Sequence, residues 1–338
     1  MIKKIALLLL FVAVFLTAGY SYVTKQVEQY ITQPLQLKEA QIFTIEPGTS
    51  FNRVLINLTQ VDLINPSDWV KLVRRFYPQL TQLKAGTYLL EPNLTLAEAL
   101  AEFKQGKEHQ FAITFIEGST FKQWLEILRS APYLEHELQG LSEAQIGQKL
   151  GLEHSKLEGL FLAETYHYTF GASDFDILKR AADKLQIVLD QHWAQRQEKL
   201  PLKSAYEALI LASIIEKETA IDSERERVAS VFINRLNKRM RLQTDPTVIY
   251  GMGDKYDGNI RKKDLRTPTP YNTYTIAGLP PTPIAMPGEA SIAAALNPEQ
   301  SDYLYFVASG NGGHVFSKTL VEHNRAVRAY LKQLRSNQ

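Results

Sequence analysis

Residues 204–219 read Ser-Ala-Tyr-Glu-Ala-Leu-Ile-Leu-Ala-Ser-Ile-Ile-Glu-Lys-Glu-Thr, and they predict a helix around which the rest of the chain can be arranged. Ser204 is followed three residues later by Glu207, and this capping-box pattern is typical of a helix start. The helix then runs through an apolar segment and ends on a charged sequence. It therefore carries two acidic residues near its end, Glu216 and Glu218.

The two carboxyl groups fall on different sides of this helix. At about 100° per residue, Glu218 lies about 20° from Leu211 and is flanked by Ile214 and Ile215, whereas Glu216 lies about 140° away. A carboxyl on an apolar face loses hydration, which raises its pKa. A carboxyl that stays protonated near neutral pH is what a general acid needs. The alternative is a structural ion pair between a buried Glu218 and Arg225, Arg227 or Arg235.

Downstream of the helix, three turn-rich blocks combine tyrosine rings with amide and hydroxyl side chains. The blocks are Leu242–Gly251, Tyr271–Thr275 and Gly278–Gly288. Tyrosine rings pack on the C–H faces of sugars, while amides and hydroxyls bond the sugar hydroxyl and N-acetyl groups. The blocks therefore favour a sugar-binding surface, and a rigid loop that caps a core is the alternative. His314 follows a glycine-rich loop, a position also typical of a structural hydrogen-bond donor.

The composition excludes several classes of site. The chain has 338 residues with 38 basic and 36 acidic side chains, and this near balance argues against a nucleic-acid binder. It has no cysteine, which excludes disulfides, thiolate nucleophiles, Cys-ligated zinc and iron–sulfur clusters. The sequence also lacks His-Glu-x-x-His, Gly-x-Ser-x-Gly and P-loop patterns. We therefore expect neither a metal ion nor a cofactor.

The N-terminus carries an uncharged apolar run over residues 5–23. At 1.5 Å per residue this run spans about 28 Å, close to the thickness of about 30 Å of a bilayer's hydrocarbon core. Lys3 and Lys4 precede it, so the tip is expected to stay cytoplasmic, and Tyr20 and Tyr22 fall near the far interface. The run is longer than the apolar region of most signal peptides. A retained single-pass anchor is therefore favoured over the alternative, a cleaved signal.

The sequence predicts an α+β protein with four segments. Residues 1–24 form the cytoplasmic tip and transmembrane anchor, and residues 25–40 form a polar stalk. Residues 41–108 show the order β-α-α-β-α and resemble the LysM-type glycan-binding modules, although a packing domain without a ligand is the alternative. Residues 109–338 form a larger mixed α+β catalytic domain.

Several long motifs occur in series along the chain. They are Leu211–Thr219, Val228–Leu236, Leu242–Thr247, Tyr271–Tyr274, Gly278–Pro281 and Gly312–Phe316. Together with the anchor and the small module, they resemble the endolytic murein transglycosylases of the MltG (YceG-like) family over nearly the whole chain. One departure is Ala163-Glu164 before Thr165-Tyr166, where the family pattern has Pro-Asp. This departure puts a role for Glu164 in doubt.

The resemblance implies cleavage of peptidoglycan between N-acetylmuramic acid and N-acetylglucosamine, with 1,6-anhydro-muramyl ends formed without water. Lytic transglycosylases generally show a glutamate followed by a small hydroxyl residue on a helix, and Glu218-Thr219 matches this pattern whereas Glu216-Lys217 does not. Glu218 is then the single general acid and base, since the substrate's own 6-hydroxyl replaces a second carboxyl group. The candidates for holding the sugars are Gln243, Asp245, Asn272, Tyr274 and His314.

The resemblance also implies partners and a location. The protein is expected in the inner membrane, with its catalytic domain in the periplasm acting on nascent strands beside the peptidoglycan synthases, and no nucleic acid is involved. Two other functions stay open from the sequence. One is a non-catalytic peptidoglycan-binding scaffold. The other is a hydrolase in which Asp245 is the second carboxyl group, although an aspartate before proline more often anchors a turn.

Overall fold

The protein is a mixed α+β chain with an apolar N-terminal helix, as the sequence predicts. The structure is a computed structural model that describes residues 2–336. The chain falls into two compact units. The first is Met1–Phe111 with His167–Gly171, and the second is Ala112–Tyr166 with Ala172–Gln338. Among the described residues the strands form three two-stranded sheets.

The first unit is built on one antiparallel strand pair and four helices. Its elements are α1 (Ile2–Ile31), β1 (Gln41–Ile45), α2 (Phe51–Gln60), α3 (Val70–Phe76), β2 (Gly86–Leu90) and α4 (Leu96–Gln105). Strand β1 pairs with β2 so that Gln41 lies opposite Leu90. Thr95 begins α4 with a capping box, and Gly106 ends it in the left-handed conformation at φ 72°. From β1 to α4 the order is the β-α-α-β-α order expected over residues 41–108.

Helix α1 differs from the predicted anchor and stalk. The sequence predicted a polar stalk over residues 25–40, but the helix continues to Ile31. Val27, Tyr30 and Ile31 are buried in the same core as the strands and helices of this unit. Their spacing of three and four residues places them on one helix face, so this face packs as an ordinary core surface. By length and composition, the helix fits a single-pass membrane anchor.

The second unit contains most of the helices. In chain order its elements, with two strands that begin or end in the first unit, are β3 (Phe111–Thr114), α5 (Phe121–Ser130), α6 (Glu143–Leu150), β4 (Thr165–Tyr168), α7 (Asp174–Ala194), α8 (Ala205–Glu218), α9 (Asp222–Asn237), α10 (Asp245–Met252), α11 (Glu289–Leu296), β5 (Tyr305–Ala308), β6 (His314–Ser317) and α12 (Leu320–Ser336). Strands β5 and β6 pair antiparallel, with Tyr305 opposite Ser317.

Helix α8 is the central helix of this unit. Ser204 caps its start by accepting the backbone N–H of Glu207, and every residue from Ala208 to Ile215 is buried. The helix contacts α7, α9, α10 and α11. Ser213, the one hydroxyl in the buried segment, donates to the Ile210 carbonyl at 2.7 Å and accepts the Ile284 N–H at 3.0 Å. Neighbouring elements therefore fix the helix whose end carries Glu218.

Candidate active site

Glu218 is the last residue of α8, and it lines a cavity of about 360 Å³ in the second unit. Gln243, Asp245 and Tyr274, three other residues predicted from the sequence, line the same cavity. The remaining lining residues come mainly from α9, the segment before α10, β5 and α12: Phe232, Arg235, Leu242, Thr244, Tyr305, Phe306, Leu320 and His323. The volume is typical of a ligand site, and most of the side chains that line it are polar.

The three arginines that offered a structural partner for Glu218 are bound elsewhere. Arg225 pairs with Asp222 at 2.5 Å, and Arg227 pairs with Glu299 at 2.8 Å. The Arg235 guanidinium donates to the carbonyls of Leu304, Leu242 and Arg241. Within residues 2–336, no basic side chain lies within ion-pair distance of Glu218.

The surroundings of Glu218 favour its protonated form. Burial raises the pKa of this carboxyl, and the nearby Asp245 charge raises it further. A hydrogen bond from the Thr244 hydroxyl and the charges of His314 and Arg235 act in the opposite direction, but the net pKa is raised. A raised pKa suits a carboxyl group that gives a proton to a leaving group.

Thr244, which the sequence reasoning missed as a site residue, holds the Glu218 carboxyl. Its hydroxyl donates to Glu218 Oε1, and its backbone N–H donates to Thr273 Oγ1 at 3.0 Å. Thr247 closes the network, because its hydroxyl donates to the Thr244 carbonyl at 2.7 Å and lies 2.8 Å from the Thr273 hydroxyl. All three threonines are buried. The threonine spacing in Thr244-Asp245-Pro246-Thr247 was the available signal.

Asp245 and Gln243 enter the cavity on either side of Thr244. Asp245 is the first residue of α10, and its Oδ1 accepts the Tyr274 hydroxyl at 2.6 Å. Gln243 has a φ of 50°, in the left-handed region that residues other than glycine rarely adopt. Its backbone N–H donates to the Thr273 carbonyl at 3.2 Å, which fixes that conformation.

Asn272 and His314 lie outside the cavity lining, unlike the other predicted residues. Asn272 is 1% exposed, and its amide donates to three backbone carbonyls between residues 264 and 267 while its Oδ1 accepts the Tyr274 N–H at 2.9 Å. It therefore positions Tyr274 and has no free group for a sugar. His314 Nδ1 lies 2.7 Å from Glu224 Oε2, and its backbone N–H also binds Glu224.

Glu216 has a structural position. Its Oε2 accepts the Gly288 N–H at 3.0 Å and the Ser291 hydroxyl at 2.7 Å. These groups lie at the start of α11, so the carboxylate satisfies donors at a helix N-terminus. Glu164, whose role the sequence left in doubt, pairs with Lys184 on α7.

The cavity also has an aromatic side that the sequence analysis did not assign. Tyr305 and Phe306 of β5 and Phe232 of α9 line it. The Arg235 guanidinium lies 5.1 Å from the centre of the Tyr305 ring. Aromatic faces of this kind suit the C–H faces of sugars. Among residues 2–336, no group of three or more His, Asp or Glu side chains is arranged to hold a metal ion.

Proteins with known names resemble parts of this chain. A Bacillus subtilis (strain 168) protein named endolytic murein transglycosylase is 42% identical over 52% of this chain and 48% of its own length. A Streptococcus pneumoniae (strain D39) protein of the same name is 25% identical over 94% of this chain and 63% of its own length. This chain therefore spans only half to two thirds of those relatives.

Among solved structures, the 2.6 Å crystal structure of a yceG-like protein from Listeria monocytogenes matches with a TM-score of 0.53 and 31% identity. The match covers 86% of this chain and 99% of that one. The model of the YceG-like family matches residues 43–329, well over half of the chain. The resemblance seen in the sequence motifs is thus confirmed, and this protein belongs to the YceG-like family.

Proposed function

We propose that this protein is an endolytic peptidoglycan transglycosylase that cuts glycan strands between N-acetylmuramic acid and N-acetylglucosamine. The observation that carries the proposal is Glu218, a carboxyl with a raised pKa at the wall of a cavity of ligand size. The names of the Bacillus and Streptococcus relatives support the same activity.

One carboxyl group suffices for this reaction. Protonated Glu218 gives its proton to the glycosidic oxygen as the bond from that oxygen to C1 of N-acetylmuramic acid breaks. The 2-acetamido group stabilises the positive charge at C1. The 6-hydroxyl oxygen of the same sugar then bonds to C1, and its proton passes to the Glu218 carboxylate. The products are a 1,6-anhydro end and a free 4-hydroxyl, Glu218 is protonated again, and no water is consumed.

The other residues of the cavity support this proton donor. The Asp245 charge helps to keep Glu218 protonated, and Thr244 fixes the carboxyl in one orientation. Gln243, Asp245 and Tyr274 supply amide, carboxylate and phenol groups for the sugar hydroxyl and N-acetyl groups. We assign Asn272 and His314 to positioning, because the first holds the Tyr274 backbone and the second is held by Glu224.

We also propose that α1 anchors the protein in the inner membrane, with a cytoplasmic tip and the chain that follows α1 on the periplasmic side. Its apolar length supports the anchor, and Lys3 and Lys4 support the orientation. An anchored enzyme acts on nascent strands where the synthases produce them. The module over residues 41–108 is then placed to bind a glycan strand, as LysM-type modules do.

The test compares two conservative variants on purified peptidoglycan sacculi, with the full chain in detergent micelles. Glu218→Gln removes the acidic proton but preserves shape, so cleavage should fall by at least about a hundredfold. Glu216→Gln is the matched control from the same helix, and it should keep cleavage within a few-fold. Sacculus binding and thermal unfolding are measured on both variants to show that they fold.

Each alternative gives a different outcome. A wild-type chain that binds sacculi but releases no fragments is a scaffold, and the proposal is then wrong. Full activity in Glu218→Gln, or loss of activity only in Glu216→Gln, overturns the choice of Glu218. The two-carboxylate hydrolase is supported if Glu218→Gln and Asp245→Asn both lose cleavage activity and the fragments released by the wild-type chain carry ordinary reducing ends.

A further inference from the structure

Helix α3 of the first unit lies beside the end of the apolar run in α1. The Tyr20 and Phe76 rings are 6.0 Å apart between centroids, and the Tyr22 and Trp69 rings are 6.4 Å apart. These two ring contacts hold both ends of α3 against one turn of α1. When α1 spans a bilayer, the bilayer surface at that end therefore lies close to α3.

That turn falls at the boundary of the hydrocarbon core when α1 spans a membrane. From Ile5 to Tyr22 a helix rises about 26 Å, while the core is about 30 Å thick. Tyrosine and tryptophan rings concentrate at this boundary because one edge is apolar and the other binds water or headgroups. Trp69 and Phe76 pack against the core of the first unit but are only partly buried, so part of each side chain stays exposed.

The other face of α3 is basic. Lys71, Arg74 and Arg75 have the spacing of three and four residues that puts side chains on one helix face, and all three are exposed. Within residues 2–336, none of them forms an ion pair. Between residues 63 and 90 the sequence has four basic residues and one acidic residue, Asp68. This charge is complementary to anionic lipid headgroups.

We propose that α3 is a membrane-surface helix that binds the phosphate groups of anionic phospholipids. The exposed parts of Trp69 and Phe76 lie at the edge of the hydrocarbon core, and the three basic side chains bind the headgroups above it. The proposal rests on the proposed anchoring of α1. Guanidinium groups bind phosphate oxygens with two parallel hydrogen bonds.

Binding of headgroups by α3 sets the orientation of the first unit on the bilayer. Each basic side chain near an anionic surface shifts the population by about fivefold, so three together favour the surface-bound state by on the order of a hundredfold at low salt. Salt screens this attraction, because the Debye length falls from about 30 Å at 0.01 M to about 3 Å at 1 M. The surface-bound state thus depends on both lipid charge and ionic strength.

The test uses the full chain in nanodiscs of phosphatidylcholine, with or without phosphatidylglycerol. Lipids brominated near the headgroup quench tryptophans that reach the interface, and a Trp69→Phe chain supplies the background from the other two tryptophans. One variant reverses the α3 charges, and a matched control reverses three exposed charges on and beside α2 and α4. The α3 variant is Lys71→Glu, Arg74→Glu, Arg75→Glu, and the control is Arg53→Glu, Lys104→Glu, Lys107→Glu.

We expect Trp69 quenching to be strong with phosphatidylglycerol and weak without it, and to fall at high salt in the wild-type chain. The α3 variant should lose this quenching and the control should keep it. If Trp69 quenching is the same with and without phosphatidylglycerol, at low and high salt, and in the α3 variant, the headgroup assignment is wrong.

Flotation with liposomes after alkaline carbonate treatment tests the anchor separately. A chain that floats but shows no Trp69 quenching contradicts the surface proposal and leaves the anchor intact. A chain that does not float contradicts both.

Discussion

Glu158 in the second unit offers a stability test that is independent of catalysis. This glutamate is 5% exposed, and its Oε1 accepts the Phe121 N–H at the start of α5 at 2.9 Å. Burial raises its pKa from an ordinary 4.5 to about 7, against the opposing hydrogen bonds from Phe121 and the Tyr250 hydroxyl. The carboxyl is therefore protonated below pH 7 and becomes a buried charge above it.

The expected effect of Glu158→Gln follows from this pKa. A carboxyl whose pKa is higher in the folded state stabilises the protein below its unfolded pKa, and this contribution is lost as the pH rises through about 7. Each pKa unit corresponds to about 1.4 kcal/mol, so the rise from 4.5 to about 7 corresponds to about 3 kcal/mol. The glutamine keeps an oxygen for the Phe121 N–H and carries no charge at any pH.

Urea unfolding at pH 5 and at pH 8.5 measures this effect. The free energy of unfolding of Glu158→Gln, relative to wild type, should be higher at pH 8.5 than at pH 5 by up to about 3 kcal/mol. Glu153→Gln, an exposed glutamate on the same loop, is the control and should show no such difference. An equal wild-type-to-variant difference at both pH values would show that Glu158 does not titrate as a buried group.

Three further substitutions test other parts of the account. Asp245→Asn removes the charge that raises the pKa of Glu218, so the alkaline limb of the kcat/KM profile should move to lower pH. Thr244→Val removes the hydrogen bond that lowers the same pKa, and the limb should move to higher pH; a shift in the same direction for both variants contradicts the electrostatic assignment. Gly159→Ala should unfold at a lower temperature than wild type by several degrees, because Gly159 has a φ of 77° and an added Cβ would lie 2.3 Å from the Pro283 Cβ; an unchanged melting temperature contradicts this.

The sequence predicted α8 and the position of Glu218 because both depend on local information. The Ser204–Glu207 pattern and the helical period act over a few residues, and the structure places Glu218 at the end of that helix. The helical period also placed Glu216 on a different side of the helix from Glu218, and the Glu216 carboxylate binds the start of α11. The sequence alone could not decide whether Glu218 is free or forms an ion pair with an arginine. That depended on the Arg235 guanidinium being bound to the carbonyl of Leu304, which is distant in sequence, and to that of Leu242.

The parts that could not be predicted depend on tertiary contacts. Asn272 looked like a sugar ligand because amides bind sugars, but its amide is used by a neighbouring turn. The threonine spacing around Thr244 does not show which group its hydroxyl binds, because only the fold brings that hydroxyl to Glu218. The segment expected as a polar stalk differs from the structure because its overall composition is polar although one helix face is apolar. That face includes Val27 and Ile31 and is buried in the core of the first unit.

In the proposed reaction Glu218 transfers a proton while the sugar's own 6-hydroxyl, and not water, attacks C1. Digestion of sacculi by the full chain in water enriched in heavy oxygen, followed by mass spectrometry of the fragments, tests it directly. We predict 1,6-anhydro ends without heavy oxygen. Reducing ends that carry the heavy isotope would contradict the account.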